Sequence, residues 1–263
     1  MQDWKASIVT SHPCWAGYRM LLDALPEGPL PGPAQLNRLL GSAARTRSGH
    51  AVRFVPADHL PGVDYERHIH ETGEIPTRAN WHDLGNALVW CRLPRLKAAL
   101  NALHYEHLDE QAGGRRGAMR DALTLLDESG VVVIGDAPVL FDALRAHDWS
   151  RAFVALRGAW QAVRVVVCGH AILEKFLEPY KALTAHALYL TAAGHPDDAA
   201  LDCRLESALL EEKRLTAPGD LQPLPLMGIP GWWTGGPQDI GFYADRAVFR
   251  PPRGLKTGGG GAQ

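Results

Sequence analysis

The sequence predicts an α+β (or α/β) fold, a mainly helical single domain around a small mixed β-sheet. Three features carry that expectation. Apolar residues recur at helical spacing, as in Leu84, Ala87, Leu88, Leu96, Leu100 and Leu103. Two β-branched runs, Val131-Val-Val-Ile134 and Val163-Arg-Val-Val-Val-Cys168, suit strands that need partners. No internal repeat of solenoid period interrupts this alternation, so one domain over 1–253 is the simplest reading.

In chain order, Trp15, Met20, Leu21, Leu22 and Leu25 mark a helix over 13–25 that Pro26 ends. The proline-rich stretch 26–33 can hold neither helix nor central strand and reads as a loop. Leu36, Leu39 and Leu40 suggest a second short helix. Ala51 to Val55 and Tyr65 to Ile69 read as strands, and with the extended Ile75-Pro76 they could pair as a small antiparallel layer. Asn80 can cap a helix whose third residue, Asp83, suits the positive end. That helix runs to about His107, with Pro94 either kinking it or opening a second helix.

Residues 122–134 read as a hairpin: Ala122 to Leu126 and Val131 to Ile134 flank Asp127-Glu-Ser-Gly130, a turn with Asp first and Gly last. A helix over 121–128 is the alternative. Residues 137–157 follow as a helix, then the strand 163–168, then a helix over 170–178. Pro179 interrupts that helix and 181–191 resumes it. Another helix covers 197–213. The Pro-, Gly- and aromatic-rich stretch 218–252 is mostly loop, and 254–263 is a flexible Gly-rich tail.

The chain has 263 residues, with 27 basic and 29 acidic side chains and a net charge of −2. That balance argues against a partner held by electrostatics, so neither nucleic acid nor a membrane surface is expected. No apolar run reaches the ~18 residues of a spanning helix. No basic start precedes an apolar stretch, so no signal peptide is expected and a cytoplasmic protein is the default. The four cysteines, Cys14, Cys91, Cys168 and Cys203, form no CxxC pair, which disfavours a thiolate zinc site or a redox dithiol.

Three clusters could carry chemistry. In Thr77-Arg-Ala-Asn-Trp-His-Asp83 an extended segment enters a helix, a junction that exposes backbone N–H groups. Arg78, Asn80, Trp81, His82 and Asp83 could therefore face a ligand there, although caps and packing explain the same residues. In Gly169-His-Ala-Ile-Leu-Glu174, His170 and Glu174 are four apart on one helical face, a spacing that can share a metal or a proton, with His186 on a later turn as a third candidate. A surface His–Glu pair and a core His186 is the alternative. In Arg115-Arg-Gly-Ala-Met-Arg-Asp121, Arg116 could hold an anion and Asp121 could supply a carboxylate, or the arginines form a solvated loop. GxSxG, Walker, GxGxxG and HExxH signatures are all absent.

Several polar strings resemble a family. They are Tyr65-Glu-x-x-Ile69, Gly73-x-Ile-Pro-Thr-Arg78, Asn80-Trp-His-Asp-x-x-Asn-Ala-Leu-x-Trp90 and Asn101-x-x-His104. Arg120-Asp-Ala-Leu-Thr124, Asp127-Glu-x-Gly130, Gly169-His-Ala, Glu174-Lys, Pro179-Tyr180 and Thr184-Ala-His186 continue the set, and Gly228-Ile-Pro-Gly-Trp232, Phe242-Tyr243 and Val248-Phe-Arg-Pro251 close it. Together they resemble the bacterial family called domain of unknown function 3025, over most of positions 50 to 252. Gly85 departs from it: the family carries a larger, often aromatic residue there, on a helix body that need not touch a site. The resemblance implies a family and no activity, but it suggests that Asn80, His82, Asp83, Asp121, His170, Glu174 and His186 act together.

The sequence therefore suggests a metal-dependent, hydrolase-like enzyme acting on a small anionic substrate. His82, Asp83, Asp121 and Glu174 would be its catalytic groups, and Arg78, Asn80, Trp81 and Arg116 its substrate contacts. His170, Glu174 and His186 would hold a divalent metal ion that activates water or polarises an oxygen. A metal-free version would pair His170 with Glu174 as an oriented base. The rival reading is a non-catalytic binding or scaffold protein whose His, Asp and Trp residues are structural. Nothing in the sequence sets the oligomeric state.

Overall fold

A computed structural model of the chain describes residues 3–59, 64–108, 117–194 and 196–251. In order, the elements are α1 (Arg19–Ala24), α2 (Pro33–Leu40), β1 (Arg53–Pro56), α3 (Tyr65–Thr72), β2 (Glu74–Thr77), α4 (Trp81–Arg92), α5 (Pro94–Glu106) and α6 (Ala118–Ser129). They continue with β3 (Gly130–Gly135), α7 (Pro138–Arg145), β4 (Val163–Val167), α8 (His170–Lys175), β5 (Thr184–Thr191), α9 (Asp198–Leu210), β6 (Gln222–Pro225) and α10 (Ile240–Tyr243). The protein is a mainly helical α+β fold. Arg116 and the tail 254–263 lie outside the described residues. No helix among the described residues is long and apolar enough to cross a membrane.

The larger sheet has the order β4-β3-β5-β6 and is mixed, because β3 runs antiparallel to β4 and parallel to β5. Every residue of β3 is buried, so this strand is the centre of the core. β1 and β2 form a separate two-stranded pair that is parallel, not the antiparallel layer the sequence suggested. The reason is that Tyr65 to Ile69 is helical. The Asp64 side chain accepts the Arg67 N–H, and Gly73 closes the helix at φ 76°, so α3 is a crossover between parallel strands.

Three further expectations are corrected. Residues 122–126 belong to α6, whose buried Ala122, Leu123 and Leu126 form one helical face. The β-branched run after Gly130 does need strand partners, but β4 and β5 supply them from farther along the chain. Residues 184–191 are the strand β5 and not a resumed helix, since the Thr-Ala-His-Ala-Leu-Tyr-Leu-Thr segment fills the place between β3 and β6. The stretch 137–157 is not one helix: α7 stops at Arg145, His147 adopts φ 52°, and a π-helical turn follows at Arg151–Ala155. Pro94 separates two helices, as one of the alternatives allowed.

α5 begins at Pro94 without a side-chain cap of its own. The buried Asp202 of α9 takes that place across the interface, its two oxygens accepting the Arg95 and Leu96 N–H groups at 2.9 Å each. The cap locks α5, which carries groups of the site below, against α9. Replacing Asp202 with Ala should strand two amides and lower unfolding stability by about 1–3 kcal/mol, read from a urea titration. An unchanged midpoint would show that water replaces the cap at no cost.

Candidate metal centre

The site begins at the start of α4. Asn80 caps the helix by accepting the Asp83 N–H at 2.7 Å, which places His82 and Asp83 in its first turn. Asp83 is buried, and one of its oxygens accepts the Arg78 backbone N–H at 2.7 Å and the guanidinium Nε–H at 3.1 Å. Its other oxygen faces Arg78 Nη2 at 3.2 Å and His82 Nδ1 at 3.3 Å. Burial works to raise this carboxyl, but the Arg78 hydrogen bonds outweigh it and hold the group below the usual carboxylate range.

The second segment is the turn from β4 into α8. The Gly169 N–H donates to the Gly130 carbonyl at 2.8 Å. A Cβ on Gly169 would lie 2.3 Å from the Gly130 nitrogen, so only glycine admits this approach. The contact sets His170, the first residue of α8, beside Asp127 and Glu128 at the end of α6.

His82, His170 and Glu128 then face one another. His82 Nε2 and His170 Nε2 are 3.2 Å apart, and Glu128 Oε2 lies 3.4 Å from each. Three donors bound to one ion by bonds of about 2.0–2.1 Å in a tetrahedral site stand about 3.3–3.4 Å apart. The triangle already has those edges. His82, Glu128 and His170 are also a set whose ligand atoms lie mutually within 4.8 Å.

Each histidine has a carboxylate behind it. His82 Nδ1 faces Asp83, and His170 Nδ1 points toward Asp127 Oδ2 at 3.8 Å. An Nδ1–H held by a carboxylate leaves the Nε2 lone pair for the shared centre, as behind many metal-bound histidines. His82 has that partner, whereas among the described residues His170 Nδ1 is buried without a hydrogen bond and feels Asp127 only as a nearby charge. Asp127 is tied to Lys97 Nζ at 2.5 Å, an ion pair in which both side chains are largely buried. Burial would raise the Asp127 carboxyl, but Lys97 and His170 more than reverse this and hold it low. Burial lowers His170, against an opposing pull from Asp127.

The triangle opens onto a cavity of about 240 Å³ whose wall also includes Tyr65, Glu66, Asn86 and His104. Burial, followed by the nearby Asp127 charge, pushes Glu66 up to about 7, while a hydrogen bond from Asn101 Nδ2 at 2.8 Å partly offsets this. The wall thus holds four carboxylates, Glu66, Asp83, Asp127 and Glu128, and Arg78 and Lys97 answer only two of them, Asp83 and Asp127. That imbalance suits a bound cation.

The residues expected from sequence divide sharply. His82, Asp83, His170 and Arg78 meet in the cavity. Glu174 is exposed one turn along α8 and lines no part of that wall. His186 also lies outside it, with its Nδ1 sharing a hydrogen bond with Ser129 Oγ at 2.8 Å. Asp121, in the first turn of α6, is not in the wall. Asn80 serves as a helix cap, and Trp81 packs edge-on to Trp4 at 5.9 Å. The structure does not bring His170, Glu174 and His186 together; His170 meets His82 and Glu128 instead. Sequence reasoning missed Glu128, Asp127, Lys97, Glu66 and Asn86. All but Lys97 lay in the strings that carry the family resemblance, which was the signal available. Gly85 is not remote from the site either: a Cβ there would sit 2.9 Å from the His170 carbonyl oxygen.

A family described as a protein of unknown function (DUF3025) matches residues 52–253, and the chain belongs to that family. No curated protein and no solved structure matches it.

Two substitutions probe this construction. Gly85→Ala gains up to ~1 kcal/mol of helix propensity but must move α8 backbone, at a cost of about 1–3 kcal/mol. A lower denaturation midpoint is expected, whereas a raised one would contradict the close approach. Lys97→Met leaves Asp127 buried without its cation and should cost about 3–5 kcal/mol. Adding Asp127→Asn should restore much of that loss, and additive losses in the double variant would deny the coupling.

Proposed function

We propose that this chain is a metal-dependent, hydrolase-like enzyme whose divalent cation is held by His82, His170 and Glu128. The observation that carries the reading is the triangle of two imidazole nitrogens and one carboxylate oxygen, with edges of 3.2, 3.4 and 3.4 Å. Two histidines and one carboxylate leave coordination positions open, as catalytic zinc and non-haem iron(II) sites do. A cation there would acidify a water and polarise a substrate oxygen.

The chain's own residues have separate tasks. Asp83 orients the His82 imidazole, Asp127 places a charge 3.8 Å from His170 Nδ1, and Arg78 and Lys97 fix those carboxylates in turn. Glu66, lifted to about 7, is suited to accept a proton near neutral pH and return it. A cation in the cavity would bring that value down. An anionic substrate gains little support, because Arg78 is already engaged by Asp83 and carboxylates dominate the wall. The metal-free pairing of His170 with Glu174 loses its basis, since Glu174 is outside the wall and exposed.

The test is metal content by elemental analysis of tag-free protein and its variants after loading with zinc and dialysis. His82→Ala, His170→Ala and Glu128→Ala should each lose the metal, whereas Glu174→Ala and His186→Ala should keep it near one ion per chain. Retention by Glu128→Ala together with loss by Glu174→Ala would overturn the reading. So would wild-type protein that holds no metal.

A further inference from the structure

One part of the cavity wall takes no part in holding the cation. Asn86, in the body of α4, is 7% exposed and lines the cavity, and its Nδ2–H donates to the Tyr65 hydroxyl at 3.0 Å. That bond turns Asn86 Oδ1 into a buried acceptor with no donor of its own. Glu66 stands on the same wall. Of the four wall carboxylates, Asp83 is matched by Arg78, Asp127 by Lys97, and Glu128 by the cation. Among the described residues Glu66 has no basic hydrogen-bond partner: its carboxylate accepts from the Asn101 amide.

A buried acceptor without a donor costs free energy unless something fills it, and a carboxylate beside it attracts N–H groups and repels a second anion. On this part of the wall the two groups left without a matching donor or cation, Asn86 Oδ1 and Glu66, are acceptors, so a substrate placed against them must bring donors. Resting on the metal-dependent reading above, we propose that the substrate is a small carboxamide, its carbonyl oxygen toward the cation and its N–H groups toward Asn86 Oδ1 and Glu66. The cavity of about 240 Å³ holds a molecule of several heavy atoms.

The reaction balances without a redox partner. The oxygen of water bonds to the carbonyl carbon, and the C–N bond breaks. Glu66 takes a proton from the water and delivers it to the departing nitrogen. The products are a carboxylic acid and ammonia or an amine, which exchange a proton in solution. If the acid passes its proton to the amine before leaving, the resulting carboxylate meets Glu66 as a like charge, which favours its release.

Propionamide and propionate are nearly isosteric and differ in offering N–H groups or a charged oxygen, so they make a direct test. Cobalt(II) loaded into the site gives a visible absorption band that reports both metal binding and the approach of a ligand. At about pH 8, with Glu66 ionised, propionamide should shift the band at concentrations about tenfold or more below those of propionate. Glu66→Gln, which preserves shape, and Asn86→Leu should each reduce that preference about tenfold while leaving the band of the ligand-free protein unchanged. A cobalt band with propionate preferred, or a preference that neither variant moves, would overturn the carboxamide assignment and leave the metal site standing. A preference for propionate would also mean that Asn86 presents its N–H to the cavity. No cobalt band in the wild-type protein would overturn both.

Discussion

Two imidazole nitrogens 3.2 Å apart cannot both present lone pairs to each other unless a cation stands between them. His82 Nδ1 faces Asp83 at 3.3 Å, while the Asp127 carboxylate lies 3.8 Å from His170 Nδ1 and favours a proton on that nitrogen by charge alone. A proton shared between the rings is one way to satisfy the pair. A metal is the other, and Glu128 Oε2 at 3.4 Å from both supplies the third donor and the negative charge that a divalent ion requires. Much of the surrounding architecture serves to hold these three atoms together.

The three side chains come from separate parts of the chain, so no local segment could assemble them. The start of α4, the end of α6 and the start of α8 meet because the buried strands β3 and β4 run side by side and their ends are joined through Gly130 and Gly169. The Gly169 N–H bonded to Gly130 leaves no space for a side chain between α6 and α8, and Gly85 does the same between α4 and α8. Behind the ligands the charges alternate: Arg78 with Asp83, then Lys97 with Asp127. These pairs hold the two carboxyls low against burial, which works to raise them.

Part of this was legible in the sequence. Asn80 and Asp83 marked a helix start, and His82 lay within its first turn. His170 stood at the end of a β-branched strand, where such folds place ligands. What failed was the step from local spacing to tertiary neighbours. Four-residue spacing tied His170 to Glu174, yet His170 turns into the cavity and Glu174 into solvent. Glu128 was hidden because Asp127-Glu-Ser-Gly130 has a turn's composition, and because the run after Gly130 called for a nearby strand. The actual strand partners lie about 30 and 55 residues farther along the chain, a distance that composition cannot reveal. Tyr65 to Ile69 failed similarly, since its β-prone residues outweighed the caps at Asp64 and Gly73 that make it a helix.

The central claim is that one ion bridges His82, His170 and Glu128. X-ray absorption at the zinc edge of the loaded protein tests it most directly, because it reads the ligands and not only the metal content. The account predicts two imidazole nitrogens among light-atom ligands at about 2.0–2.1 Å and no sulfur, with the zinc signal itself lost in His82→Ala after the same loading and dialysis. A sulfur shell, or a spectrum that does not change in that variant, would place the metal elsewhere and contradict the account.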